Sequence, residues 1–198
     1  MGLVDTANGR VRVRAGGRSE KVRQAVGEAT LAFLAEGRLT FSVVDVAARA
    51  GVGRRTVYRW WPTRHDLLVE ALRTHVRRAP VVDAVGSWEE NLRALAHRLA
   101  EFAAGPVEVA IAAIMAGGQH PEFNQTVLEQ WRPAMESWHQ LVHVAAENGE
   151  VAEGLDPRTV IDTLLVPIVF TPLAMRRPMG TSEVDALVDL LLTGTRAR

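Results

Sequence analysis

The residues best suited to chemistry cluster between Ser42 and Arg64. Arg54, Arg55 and Arg59 place three guanidinium groups on one short stretch, with the hydroxyls of Thr56 and Tyr58 between them. A guanidinium offers paired donors that match guanine O6 and N7, or two oxygens of a phosphate. Hydroxyls suit phosphate oxygens and base edges, contacts that position a protein on its partner. The chemistry offered here is recognition of a nucleic acid rather than bond making. A second group, Glu136, His139 and His143, would lie on one helical stripe and has a spacing used in metal-binding bundles. Such sites need ligands from other helices, and no second Glu-x-x-His occurs. No G-x-S-x-G, phosphate loop or H-E-x-x-H is present. The absence of Cys excludes disulfides, thiolate chemistry and Cys-containing zinc sites. The expectation is therefore no enzyme, no catalytic residue, no metal and no cofactor.

The elements that must hold these groups read as helices. Ser42 and Asp45 have the spacing at which a hydroxyl and a carboxylate satisfy free N–H groups of a first helical turn. Val43, Val46, Ala47 and Ala50 give that helix an apolar face, and Gly51-Val52-Gly53 breaks it. Arg54–Trp60 forms a second short helix, ended by Pro62, because the residue before proline is pushed out of the α region. Two short helices joined by a glycine-containing bend make a helix-turn-helix, whose second helix enters the DNA major groove. Thr63 and Asp66 repeat the capping spacing and open a longer helix with Leu68, Leu72 and Val76 on one side. Arg64 stands in its first turn, where the helix dipole gives no reason for a cation, so an external anion explains it better.

Upstream, Val22, Val26, Ala29 and Phe33 mark a helix from Ser19 that stops near Gly37. Downstream, Ser87 and Glu90 cap a helix carrying Leu92, Leu95, Leu99 and Phe102. Gly105-Pro106 separates it from a helix at 107–117, Pro121 opens a long one, and Asp156-Pro157 caps the next. Pro167 and Pro172 should kink or break that helix. Thr181 or Ser182 caps the last. The reading is all-α, with about nine helices, no strand and no internal repeat.

Of 198 residues, 47% are hydrophobic and 23% charged, ordinary values for a globular protein and against a mostly disordered chain. The longest uncharged stretch near the C-terminus, Thr163–Met175, carries two prolines and is short of the roughly 20 residues that span a bilayer. No apolar run of a signal peptide opens the chain, so no membrane partner and a cytoplasmic location are expected. The net charge of zero hides an asymmetry. Residues 1–79 hold 15 Lys+Arg against 7 Asp+Glu, and residues 80–198 hold 8 against 16. A basic half joined to an acidic half suggests that the first half meets a polyanion. Residues 1–18, with four glycines and four arginines, read as a flexible basic arm, suited either to a minor groove or to non-specific attraction alone.

At Phe41–Gly53 and Arg54–Arg64 the sequence resembles the N-terminal domain of the TetR/AcrR family of bacterial transcriptional regulators. Many positions agree in order and spacing with the family pattern T-x-x-x-I-A-x-x-A-G-V-S, followed by x-x-T-L-Y-x-Y-F-x-S-K and an apolar pair, here Leu67-Leu68. The resemblance covers roughly residues 18–75. It implies a helix-turn-helix DNA-binding domain at 19–79 and an effector-binding and dimerisation domain at 80–198. It implies double-stranded DNA as partner, contacted by Ser42, Arg54, Arg55, Thr56, Tyr58, Arg59 and Arg64. Gly53 stands where the family has a Ser cap, Arg55 where a small residue is common, and Trp60-Trp61 where a Tyr-Phe-type pair is usual.

For the second half the resemblance implies a homodimer and a small apolar or aromatic effector. Phe102, Met115, Phe123, Trp131, Met135, Trp138 and Phe170 are the candidate pocket residues, although such stripes equally make a plain core. Leu164, Ile168, Val184, Leu187, Val188 and Leu191 are the candidate dimer residues, with Leu190 and Leu192 apolar beyond that stripe. The expected function is a ligand-released repressor on a near-palindromic operator. A helical ligand-binding module that does not bind DNA and a metal-dependent enzyme built on Glu136, His139 and His143 stand as alternatives.

Overall fold

A computed structural model of the chain describes residues 16–197. Among these residues there are nine helices and no strand: α1 (Gly16–Ala35), α2 (Val43–Ala50), α3 (Arg54–Trp60), α4 (Arg64–Val76), α5 (Trp88–Ala103), α6 (Pro106–Ala116), α7 (Pro121–Glu147), α8 (Pro157–Met175) and α9 (Thr181–Thr195). One isolated bridge pairs Val151 with Arg196. The Arg10–Arg14 run of the expected arm lies outside the described residues. Gly16–Arg18 form the first turn of α1 rather than part of that arm.

The caps expected from the sequence are formed at Ser42, Thr63 and Ser87, each with reciprocal bonds to the acid three residues on. Asp156 accepts from the Arg158 N–H and the Thr159 hydroxyl at the start of α8. The start of α9 differs from expectation. Gly180, not Thr181 or Ser182, is the N-cap, and its N–H donates to Glu183 at 2.8 Å. Arg177 donates two bonds to the same carboxylate, at 2.6 and 2.8 Å. A carboxylate shared between a helix start and a two-pronged guanidinium outcompetes a nearby hydroxyl.

α8 also departs from expectation, since it runs through Pro167 and Pro172 without a break. Each proline removes one backbone bond, but Val160, Ile161, Leu164 and Ile168 are buried along one side. Tertiary packing of that side holds the helix together. By length and composition α8 reaches the range of a membrane-crossing helix. Its buried side nevertheless belongs to the protein core.

Two hydrophobic cores divide the molecule. One joins α5, the second half of α7, α8 and α9 through Leu92, Leu95, Trp138, Ile161 and Val188. The other joins α1–α4 through Val26, Leu34, Val57, Leu67 and Leu72. α1 and α4 pack so closely that a Cβ at Gly27 would collide with the Thr74 hydroxyl. Ile111 of α6 and Phe123 and Val127 of α7 belong to this α1–α4 core as well. The expected boundary near residue 80 therefore divides the chain but not its packing. Trp131 packs against both cores. α5 and α6 meet at 82° across Gly105.

The Arg177 guanidinium, with help from the Gly180 N–H, holds the Glu183 carboxyl down to about 2. A carboxylate held lower in the folded state stabilises it above the unfolded value and loses that contribution as pH falls toward the folded one. Glu183→Gln should therefore lower the melting temperature at pH 7 by about 1–2 °C, an exposed-pair effect. The difference from the unmodified chain should shrink as pH falls from about 4.5 toward 2; calorimetric scans across that range check it.

Candidate functional site

The bend between α2 and α3 depends on one backbone conformation. Gly51 has φ 63°, and its N–H reaches back to the Ala47 and Ala48 carbonyls. Val52 donates to the Ala47 carbonyl at 3.1 Å, completing the turn. Side chains disfavour this left-handed geometry, whereas glycine does not. The chain then enters α3 at Gly53, whose lack of a side chain leaves the helix start without a side-chain cap.

α3 is held through one face only. Val57 is fully buried, and Trp61, which closes the helix, is buried and donates its indole N–H to the buried Glu70 carboxylate at 3.1 Å. Trp60 leans on Trp61 at 5.5 Å between ring centres and lies 6.0 Å below the Arg23 guanidinium of α1. Trp60 thus links the end of α3 to α1 while staying 37% exposed. Arg55 and Arg59 lie across the helix from Val57 and Arg54 opens its first turn, all three exposed and in no ion pair among the described residues. Tyr58 is 48% exposed beside them, and Thr56 is half-buried. Several basic groups elsewhere on this half are engaged: Arg49 bonds Glu36 at 2.6 Å over the Phe33 ring, Arg77 pairs with Glu20 and Arg78 with Glu28. Arg23 of α1 and Arg73 of α4 are also exposed without an ion pair among the described residues, but α3 gathers three such guanidinium groups on seven residues, open to an outside anion.

Two expected contacts are already committed internally. Arg64 donates to the Leu39 carbonyl at 3.1 Å, so its place in the first turn of α4 has an internal explanation that spacing alone did not reveal. The Ser42 hydroxyl caps α2 and bonds Asp45 at 2.7 Å, though the residue is exposed.

In the second half, α5, α6, α7 and α8 border an apolar cavity of about 360 Å³ that opens to solvent on one side. Phe102, Met115, Trp131, Met135, Trp138 and Phe170 line it, six of the seven candidate residues. Phe123 does not: near the start of α7 it is buried in the core of α1–α4. Helical spacing identified α7 as apolar on a broad face but not which neighbour each side meets. Sequence reading also missed Glu108, the one ionisable wall residue, because an acid in a helix's first turn is ordinarily explained by the helix dipole.

The candidate dimer residues are placed differently from expectation. Leu164, Ile168, Val184, Val188 and Leu191 are buried within the single chain, and Leu187 is half-buried. A stripe covered by its own core is not open to a second subunit. The surface that α8 and α9 leave open carries Thr163, Val166, Phe170, Ala186 and Leu190, with Leu190 68% exposed. Among the described residues, no group of three or more His, Cys, Asp and Glu could hold a metal. Glu136 and His143 are exposed, and His139 is half-buried.

Residues 82–191 match the family described as tetracyclin repressor-like, C-terminal domain. The chain is 31% identical over 185 residues to the HTH-type transcriptional regulator AqdR of Rhodococcus erythropolis, covering 91% of this chain and 88% of the relative. It is 47% identical over 60 residues to the HTH-type transcriptional repressor LfrR of Mycolicibacterium smegmatis, covering 30% of this chain and 31% of the relative. The fold matches the crystal structure of a TetR transcriptional regulator from Agrobacterium tumefaciens with a TM-score of 0.72 at 19% identity, over 89% of this chain and 95% of that one.

Because no atom lies within 4 Å of a Cβ built on Gly51, the cost of a side chain there is conformational rather than steric. Gly51→Ala should destabilise the fold by about 1–2 kcal/mol. That corresponds to a fall of roughly 2–8 °C in melting temperature, and an unchanged transition would show that the bend tolerates other geometry.

Proposed function

The chain belongs to the TetR family of helix-turn-helix transcriptional regulators, and we propose that it acts as a homodimeric repressor released from its operator by a small apolar or aromatic ligand. The observation that carries the DNA contact is the split of α3 into a buried face at Val57 and an exposed face of unpaired arginines. Arg54 and Arg55 at the start of α3 take the base-reading role, because the N-terminal part of a recognition helix meets base edges. Arg59, Thr56 and Tyr58 serve phosphate oxygens and fix register. Ser42 and Arg64 sit beside this face and add phosphate contacts if their internal bonds are exchanged for outside ones. No catalytic role is assigned to any residue.

A dimer formed across the open surface of α8 and α9 presents two copies of α3 to a near-palindromic site. The apolar, uncharged character of Val166, Ala186 and Leu190 supports that surface. The cavity supports the ligand role: its walls are mostly aliphatic and aromatic, with few polar groups. Ligand binding there reaches the DNA-binding half through α6, which packs on both α1 and α8. A ligand shifts the equilibrium only by its unequal affinity for the DNA-competent and released geometries.

Gel-shift titration against a site selected from random duplexes tests the reading. Arg55→Ala should weaken specific binding by about 1–3 kcal/mol and relax the preference at one base position. Tyr58→Phe should weaken all sequences alike. Affinity should fall steeply with salt, and equal weak affinity for every duplex would overturn the operator reading. Leu190→Glu should shift the chain to a monomer in sedimentation and abolish cooperative occupancy of both half-sites; an unaltered dimer would place the interface elsewhere.

A further inference from the structure

The single charge in the wall of the cavity has a partner outside that wall. The Glu108 carboxylate meets His75 Nε2 at 2.5 Å, and both side chains are largely buried. His75 belongs to α4 of the DNA-binding half and Glu108 to α6. The His75 ring lies 4.9 Å from Phe102 and 6.4 Å from Trp131, centre to centre, both of which line the cavity. Glu108 Oε2 takes the bond to His75, whereas Oε1 accepts none among the described residues and is not sealed away from open space. The indole N–H of Trp138 is already given to the Pro80 carbonyl.

We propose that the cavity takes a lipophilic aromatic cation, held by Glu108 and by the rings of Phe102, Trp131 and Trp138, and that this ligand acts on DNA binding by taking Glu108 away from His75. The proposal rests on the reading of the cavity as the effector site and adds the chemical class and the route of the signal. An uncharged ligand gains from the apolar wall but has no use for a carboxylate buried in it. An anion is repelled by that carboxylate. A cation loses its hydration on entry, and both the carboxylate and the aromatic rings offset that loss. A cation drawn to the Glu108 carboxylate competes with the His75 ring for it. Entry of the ligand therefore weakens the His75–Glu108 contact or turns the ring away. Either event loosens the link that ties α4 to α6, and α4 follows directly from α3 in the chain.

Tetraphenylphosphonium and tetraphenylborate, near-identical in shape and opposite in charge, test the assignment by calorimetric titration of the full chain. The phosphonium should bind at one site per chain at least tenfold more tightly than the borate. Glu108→Gln should erase that preference, and Ala112→Asp, which adds a second carboxylate one turn along the same wall, should strengthen phosphonium binding severalfold. Thermal unfolding verifies that each variant is folded, and Ala112→Asp decides the matter if Glu108→Gln is not. Borate binding as tight as phosphonium, no phosphonium binding, or a preference that survives Glu108→Gln would overturn the proposal. DNA binding by the ligand-free chain, run in parallel, separates the two readings: its absence counts against the regulator function, whereas intact DNA binding without charge preference counts against the cation alone. Phosphonium should also release the DNA from the unmodified chain, and retention of DNA at saturating phosphonium would refute the route through His75.

Discussion

A helix of seven residues does not hold itself together in water. α3 exists because Val57 is buried beneath it, Trp61 is anchored to Glu70 behind it, and Gly51 turns the chain sharply before it. Everything the DNA-binding half offers a partner depends on that one-sided burial. Where one face is spent on the core, the other is left for side chains with no internal role. The three arginines there are long, charged and unpaired among the described residues. Other arginines of the same half are tied to Glu20, Glu28 and Glu36. Three unpaired guanidinium groups gathered on one seven-residue helix distinguish this surface from an ordinary solvated helix face.

The second organising feature is a seam. The core of α1–α4 extends into α6 and the start of α7, so the two halves of the chain are not independent bodies joined by a linker. Trp131 touches both cores and lines the cavity, and the cavity lies where the two meet. Packed interiors transmit small displacements because they have little free volume to absorb them. The aromatic cluster of His75, Phe102 and Trp131 joins this seam to α4.

Much of the local structure was legible in the sequence because its causes are local. The capping boxes at Ser42, Thr63 and Ser87 involve residues three apart, and the glycine bend before α3 follows from backbone sterics at a single residue. The features that escaped are those decided by distant partners. Phe123 has the same apolar character as Trp131, but its place at the start of α7, about two turns before Trp131, gives it to the core of α1–α4. Val184, Val188 and Leu191 form the expected stripe, yet periodicity says only that a face is covered, not by which chain. α8 survives its prolines because neighbouring helices enclose one side of it. Arg64 reads as an anion site until the Leu39 carbonyl, 25 residues away, is brought to it. His75 and Glu108, 33 residues apart, carried no signal that they would meet.

The central claim is that the arginines opening α3 read bases from the major groove. Interference by guanine N7 methylation tests this directly, since N7 is the major-groove acceptor an arginine would occupy. The account predicts that methylation of guanines in two symmetric half-sites, separated by about one helical turn or a multiple of it, blocks binding. It also predicts that Arg55→Ala removes the block at one position in each half-site. Binding indifferent to N7 methylation throughout the site, but abolished by methylation of adenine N3 in the minor groove, would contradict it.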